Sequence, residues 1–126
     1  MSKKIVLVED DALLGKLITK KLISAGYEIS IAVDGESGLS SIREKSPDLV
    51  LLDLVLPNMD GFEILKRLKS NPATNKIPVI IISNLNQKED MNRCFQLGAS
   101  EYIVKAFFTS GEILEMIEKF INKEKE

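Results

Sequence analysis

Five polar side chains follow short apolar segments of the sequence, at positions where they could act together. They are Glu9 and Asp10 after residues 5–8, Asp53 after residues 49–52, Ser83 after residues 78–82, and Lys105 after residues 102–104. Carboxylates that share one crevice repel each other unless a cation or a raised pKa relieves them. Because the chain has no histidine and a single cysteine, the available ligands are hard oxygen atoms. Such ligands suit Mg²⁺ or Mn²⁺ better than zinc.

The same residues predict phosphoryl transfer. Mg²⁺ is commonly held by one or two carboxylates together with a phosphate oxygen. A carboxylate can act as the nucleophile, while a metal and a lysine offset charge on the phosphoryl oxygens and a hydroxyl donates to one of them. Asp53 lies between two apolar runs, where an isolated buried charge would be costly, so this interpretation is favoured over helix capping. For Asp11 we expect only a helix cap.

Composition excludes several other classes of protein. Without histidine, the chain cannot form a Ser-His-Asp triad, a histidine-ligated zinc site or a phosphohistidine carrier, and the lone Cys94 excludes an internal disulfide. The net charge of −2 argues against a strongly basic nucleic-acid binder. No apolar run approaches a membrane span, and no secretory signal follows Met1, so we expect a cytoplasmic protein.

The apolar runs alternate with segments of helical spacing, which is the pattern of an α/β protein. Strands are predicted at residues 5–8, 28–32, 49–52, 78–82 and 102–104. The second run alternates apolar and polar residues and therefore suits a sheet edge. Two helical stripes are predicted to be core, namely Leu14, Leu17, Ile18 and Leu22, and Ile113, Ile117, Phe120 and Ile121. We predict a three-layer α/β/α sandwich on a parallel five-stranded sheet.

Helix starts are marked by capping residues. Three N-cap residues each precede a glutamate by three positions, which are Asp60 with Glu63, Asn86 with Glu89 and Thr109 with Glu112. Asp11 and Asp34 can cap the first two helices. In an open parallel sheet, ligands bind at the carboxyl ends of the strands, so the polar residues that follow the strands are expected to meet there.

Four segments, residues 4–11, 48–61, 78–83 and 98–105, together resemble the receiver domain of two-component response regulators. The likeness covers essentially the whole chain, and the single-domain regulators of chemotaxis are the most similar type. It implies one receiver domain over residues 1–126, with a (βα)5 flavodoxin-like fold and strand order 2-1-3-4-5.

The resemblance also implies roles for the residues. Asp53 would be the phosphoacceptor, and Glu9, Asp10, Asp53 and the backbone carbonyl of Val55 would bind Mg²⁺ or Mn²⁺. Ser83 would be the switch hydroxyl, Lys105 its ion-pairing partner, and Tyr102 the aromatic side chain whose rotamer follows Ser83. The alternative for Tyr102 is a half-exposed strand residue without a switching role.

The implied function is a signalling switch and not an enzyme, although the domain would assist its own phosphorylation and dephosphorylation. The phosphoryl group would come from a partner histidine kinase or phosphotransfer protein, or from acetyl phosphate. Phosphorylation would then change the face of the fourth helix, fifth strand and fifth helix, which carries Tyr102, Glu115 and Met116. This face would bind a downstream protein target or form a phosphorylation-dependent homodimer, without direct nucleic-acid binding or membrane insertion.

Three features depart from the family pattern. Ala106 replaces a proline that is usually preceded by a cis bond, so we expect either a trans Lys105–Ala106 bond with a shifted loop or a strained cis bond. Asn84 replaces a small residue and could narrow access to Asp53 or donate to a phosphoryl oxygen. Val55 and Leu85 are apolar where polar side chains would orient water, which predicts slow autodephosphorylation. The two aromatic residues after Ala106, Phe107 and Phe108, are expected to pack within their loop. An exposed docking patch is the less favoured alternative.

Three alternatives to a working receiver are open at this point. A degenerate receiver would act as a phosphorylation-independent interaction module. A phosphatase of the haloacid dehalogenase type would need a second aspartate where Val55 stands. A flavodoxin-like cofactor binder would have to place a phosphate against Glu9, Asp10 and Asp11, which would repel it without a metal.

Overall fold

The computed structural model describes residues 3–124 of the chain, which form five strands alternating with five α-helices. The strands are β1 (Lys4–Val8), β2 (Glu28–Ala32), β3 (Leu49–Leu52), β4 (Val79–Ser83) and β5 (Glu101–Val104). The helices are α1 (Ala12–Ser24), α2 (Gly35–Lys45), α3 (Gly61–Ser70), α4 (Lys88–Gln96) and α5 (Ser110–Glu124). A short 3₁₀ helix, Lys105–Phe107, lies between β5 and α5.

All strands pair in parallel, in the order β2-β1-β3-β4-β5, which confirms the predicted topology. The alternating strand β2 is an edge strand, as its pattern predicted. The central strands β3 and β4 are buried along their whole length, which explains why their sequences are continuously apolar. Parallel pairing brings the ends of β1, β3, β4 and β5 to one edge of the sheet.

Two apolar layers cover the two faces of the sheet. One contains α1 and α5, whose buried residues include Ile18, Leu22, Ile113 and Ile117, and the other contains side chains from α2, α3 and α4. The predicted core stripes are therefore confirmed, except at Leu17. Leu17 is 42% exposed because it lies at the margin of the α1 stripe.

Most of the predicted helix caps are confirmed. Asp11 accepts from the N–H groups of Leu13 and Leu14, and Asp34 and Asp60 each accept from the N–H three residues later. Thr109 and Glu112 form a reciprocal capping box. The prediction for Asn86 is wrong, because α4 begins one residue later and its N-cap is Gln87, without a side-chain hydrogen bond.

Among residues 3–124, no helix is both long and apolar enough to cross a membrane.

Candidate functional site

The carboxylates predicted to act together lie together in the structure. Glu9 follows β1, Asp10 is the next residue, and Asp53 follows β3, so parallel pairing of β1 with β3 places them side by side. Each contributes an oxygen atom to a cluster whose atoms lie within 4.8 Å of one another. Glu9 and Asp53 are only 2% and 4% exposed, whereas Asp10 is open to solvent. The acidic cluster thus has two buried members and one at its mouth.

Lys105 supplies the positive charge of this cluster. Its Nζ atom lies 2.7 Å from Glu9 Oε1 and 2.8 Å from Asp53 Oδ2. Because no peptide bond among the described residues is cis, the bond between Lys105 and Ala106 is trans, as the first alternative predicted. Lys105 begins the 3₁₀ helix after β5, and from there its side chain reaches both carboxylates. Loss of the usual proline has therefore not displaced the ammonium group from Asp53.

The second oxygen of Asp53 is held by the backbone. Oδ1 accepts hydrogen bonds from the N–H of Leu54 at 2.7 Å and from the N–H of Val55 at 3.3 Å. The N–H of Gly61 in turn donates to the Leu54 carbonyl at 2.9 Å. A Cβ atom on Gly61 would stand 2.3 Å from the Asp53 carbonyl oxygen, so this close approach requires glycine. Both carboxylate oxygens are thus fixed, one by N–H groups and one by Lys105.

Burial and mutual contacts change the ionisation of these groups. Burial raises the pKa of Glu9 to about 7; Lys105 opposes this rise and Asp53 reinforces it. Burial by itself would lower the pKa of Lys105, but its hydrogen bonds to Asp53 and Glu9 outweigh that effect and raise the pKa. Lys105 is therefore charged at neutral pH. The carboxylates have more negative charge than one ammonium group balances, which favours a further cation.

The donor set fits a hard divalent cation. Oxygen ligands at the Mg²⁺ distance of 2.0–2.1 Å stand about 3 to 4 Å apart, so a cluster spanning up to 4.8 Å needs only a small closure. The exposed position of Asp10 leaves a side open for the water molecules that Mg²⁺ retains. The cluster is therefore compatible with Mg²⁺ or Mn²⁺ bound by Glu9, Asp10 and Asp53.

Ser83 and Tyr102 meet at the backbone of Leu85. The fully buried Ser83 Oγ accepts a 3.3 Å hydrogen bond from the Leu85 N–H, and the Tyr102 hydroxyl donates a 2.6 Å hydrogen bond to the Leu85 carbonyl. Tyr102 also packs against the core on the side of α2, α3 and α4, and burial raises the pKa of its phenol to about 12. Tyr102 is thus a half-buried strand residue whose hydroxyl is joined to the loop between β4 and α4.

Several apolar or uncharged side chains follow the ends of β3, β4 and β5, at the edge of the sheet that carries the acidic cluster. Val55 is 59% exposed, Asn84 is exposed, and Leu85 is half-buried with its side chain packed against the core. Phe107 is 65% exposed and Phe108 is also open to solvent, so the expectation that both pack within their loop is wrong. The 3₁₀ helix turns Phe107 outward, while Lys105 at its start points toward Asp53.

Two contributions to the site are not apparent from the sequence. The Leu85 carbonyl has no sequence signal, because any residue provides such an acceptor. Gly61 could be read from the sequence as an ordinary turn residue. Because most residues are tolerated directly after a helix N-cap, a glycine after Asp60 is a signal that two backbone segments approach closely. One expected surface residue also lies elsewhere: Glu115 lines a groove beside α1, and Met116 faces the side of β5.

Comparison with known proteins agrees with this geometry. The family model for the response regulator receiver domain matches residues 5–118. The chain is 38% identical over 104 residues to the DNA-binding dual master transcriptional regulator RpaA of Synechocystis, covering 82% of this chain and 43% of that protein. It is 37% identical over 105 residues to the response regulator PleD of Caulobacter vibrioides, covering 83% of this chain and 23% of that protein. The chain thus spans less than half the length of these two relatives.

Solved structures show the same fold over nearly the whole chain. The phosphorylated cyanobacterial phytochrome response regulator RcpA has a TM-score of 0.84 at 30% identity, covering 95% of this chain and 91% of its own. The Mn²⁺-bound form of response regulator Rcp1 has a TM-score of 0.85 at 29% identity, covering 94% and 93%. A CheY-like receiver domain protein from Methanospirillum hungatei has a TM-score of 0.88 at 26% identity, covering 99% and 98%. The chain belongs to the receiver domain family of two-component response regulators.

Proposed function

We propose that this receiver domain is a phosphorylation-controlled switch whose phosphoacceptor is Asp53. The observation that carries the proposal is the environment of the Asp53 carboxylate. This carboxylate is buried beside Glu9 and Asp10. One of its oxygens accepts hydrogen bonds from backbone N–H groups, and the other contacts the Lys105 ammonium. A carboxylate held in this way is oriented for attack, and the surrounding donors can balance the charge of an incoming phosphoryl group.

The proposed donor is a phosphohistidine on a partner histidine kinase or phosphotransfer protein. An oxygen of Asp53 forms a bond to phosphorus while the bond from phosphorus to the imidazole nitrogen breaks, and the imidazole retains that electron pair and takes up a proton. Lys105 then pairs with the added negative charge, and the Leu54 and Val55 N–H groups keep the carboxyl group oriented. A divalent cation on Glu9, Asp10, Asp53 and the Val55 carbonyl would neutralise charge on the phosphoryl oxygens.

The output would be a change in protein binding. A phosphoryl group on Asp53 offers an acceptor to the Ser83 hydroxyl, which in this structure is bonded to the Leu85 N–H. If Ser83 turns toward it, the Leu85 backbone and the attached Tyr102 hydroxyl are released to move. This chain of contacts supports a response on the α4–β5–α5 face, which would bind a downstream target or a second phosphorylated copy. Cytoplasmic location and the absence of direct nucleic-acid binding stay predictions.

The decisive experiment is intact-mass measurement after incubation with acetyl phosphate and Mg²⁺. We expect one added phosphoryl group on the unmodified protein, none on Asp53→Ala, and normal labelling of Asp48→Ala, which removes an exposed aspartate at the opposite end of β3. Labelling of the Asp53→Ala variant would reject Asp53 as the acceptor. Absence of labelling in every variant, with target binding retained, would favour the phosphorylation-independent interaction module.

A further inference from the structure

An open groove runs between α1 and α5, on the sheet face opposite α2, α3 and α4. Its volume is about 520 Å³. Leu17, which is 42% exposed although its spacing predicted a core position, lies in this groove with the mostly buried Leu114. A partly exposed leucine beside an apolar neighbour leaves surface that another molecule could cover.

The two walls of the groove carry opposite charge. Lys20 and Lys21 stand on the α1 side, and Glu115 and Glu118 stand on the α5 side. Within residues 3–124, ion pairs closer than 4.0 Å join Arg67 to Glu63 and Lys105 to Glu9 and Asp53, and none of them includes these four groove residues. The lysines and glutamates are thus near each other across the groove without being paired inside the molecule.

We propose that the α1–α5 groove is a self-association surface whose occupant is a second copy of this chain. A two-fold axis along the groove would place α1 of each copy against α5 of the other. The lysine wall of one copy would then meet the glutamate wall of the second, and the reverse contact would form at the same time. An isologous interface requires a patch that contains its own complement, which is the property of this groove. A partner carrying one sign of charge would leave one wall unmatched.

This surface shares α5 with the proposed output face but uses a different side of that helix. Glu115 and Glu118 line the groove beside α1, whereas Met116 and Lys119 line the side of α5 next to β5. None of the groove-lining residues belongs to the acidic cluster. Self-association through the groove therefore should not require phosphorylation of Asp53. The Asp53→Ala variant is expected to associate with the same affinity as the unmodified chain.

The test is a charge-reversal experiment followed by sedimentation equilibrium over a range of concentrations. The unmodified chain should shift toward twice the monomer mass as its concentration rises. The variant Lys20→Glu, Lys21→Glu and the variant Glu115→Lys, Glu118→Lys should each associate at least about tenfold more weakly, because both contacts become like-charged. An equimolar mixture of the two variants should regain association, since both contacts are then oppositely charged.

Two control variants distinguish a dimer through this groove from a general effect of surface charge or of poor folding. Lys66→Glu, Lys76→Glu makes the same charge change at exposed positions in and after α3, and it should leave association unchanged. Leu17→Asn changes the apolar surface without changing charge, and should weaken association even if a charge variant folds poorly. The proposal is overturned if the unmodified chain stays monomeric throughout. It is also overturned if each charge variant only unfolds more readily and the mixture gains nothing, since the charges would then act within one molecule.

Discussion

Lys105 Nζ lies 2.8 Å from Asp53 Oδ2, and it reaches this position from a residue whose following peptide bond is trans. The usual proline after this lysine is absent, yet the ion pair forms and includes Glu9 at 2.7 Å. A side chain with four methylene groups has enough freedom to compensate for a different backbone path. The position of the Lys105 ammonium group is therefore preserved, although the peptide bond after Lys105 is not the usual one.

Removal of this ammonium should destabilise the domain. Lys105→Met leaves Glu9 and Asp53 buried without a cation, and breaking a buried ion pair of this kind costs about 3 to 5 kcal/mol, less whatever protonation of Glu9 relieves. Urea unfolding without metal should show the loss, and addition of Mg²⁺ should restore part of it. Lys16→Met, at an exposed position of α1, is the matched control and should change stability little. Equal stability of the two variants would contradict the role given to Lys105.

Metal affinity should depend on Asp10 and not on Asp11. Asp10→Asn removes one carboxylate from the acidic cluster and should weaken Mg²⁺ or Mn²⁺ binding by at least about tenfold, as measured by calorimetry. Asp11→Asn makes the same charge change one residue along. Since asparagine caps helices as well as aspartate, it preserves the cap of α1. If both variants bind metal equally well, the metal does not use Asp10.

The backbone beside Asp53 should tolerate no side chain at position 61. In Gly61→Ala, the new Cβ would meet the Asp53 carbonyl oxygen at 2.3 Å and the Leu54 Cα at 2.6 Å. We expect a loss of about 1 to 3 kcal/mol in the free energy of unfolding and slower labelling by acetyl phosphate. Gly15→Ala in α1, where the nearest atom is 3.9 Å away, should instead stabilise the domain by about 0.5 to 1 kcal/mol.

The strand pattern was the most reliable guide to this fold. Polar residues at the strand ends predicted which side chains would meet, because strand pairing alone brings Glu9 and Asp53 together. The predicted start of α4 was wrong because residues 84–87 offer several polar caps, and α4 buries only Cys94, so its local pattern is weak. The contact of Tyr102 with the Leu85 carbonyl and the exposure of Leu17 depend on the placement of whole elements. Local periodicity does not contain that information.

Slow loss of the phosphoryl group is expected because the side chains of Val55 and Leu85 are apolar. Val55→Asn adds an amide at a position that is 59% exposed, where it could orient an attacking water molecule, and should speed decay on the order of tenfold. The double variant Val55→Asn, Leu85→Glu tests both apolar positions, although Leu85 packs against the core and its replacement also costs stability.

Val33→Asn is the matched control for this experiment, since Val33 is another exposed valine, at 56%. Decay should be followed by intact mass in Mg²⁺ after removal of the phosphodonor. Decay of the Val55→Asn protein at the rate of the Val33→Asn protein would show that water access is not limited at Val55.

The Tyr102 phenol should make stability depend on alkaline pH. Burial raises its pKa from 10.0 to about 12, so the folded state favours the neutral phenol. Its contribution to the free energy of unfolding is fully present below about pH 10 and is lost as the pH rises toward 12. Urea unfolding of the unmodified protein and of Tyr102→Phe should therefore give stabilities whose difference changes across this window. A constant difference would place Tyr102 in a solvated environment.

The order of the strands sets a distance that the proposed phosphorylation site has to span. Asp53 follows β3 and Lys105 follows β5, with β4 between them. Neighbouring strands lie about 4.8 Å apart, so the two backbones are separated by roughly two such intervals, close to 10 Å. A lysine and an aspartate together bridge that gap, whereas a shorter basic side chain or one additional strand would leave the charges out of contact. The extended side chain of Lys105 therefore links the ends of two non-adjacent strands, β3 and β5. A change in the charge of Asp53 alters the electrostatic interactions on both sides of β4, the strand that carries Ser83.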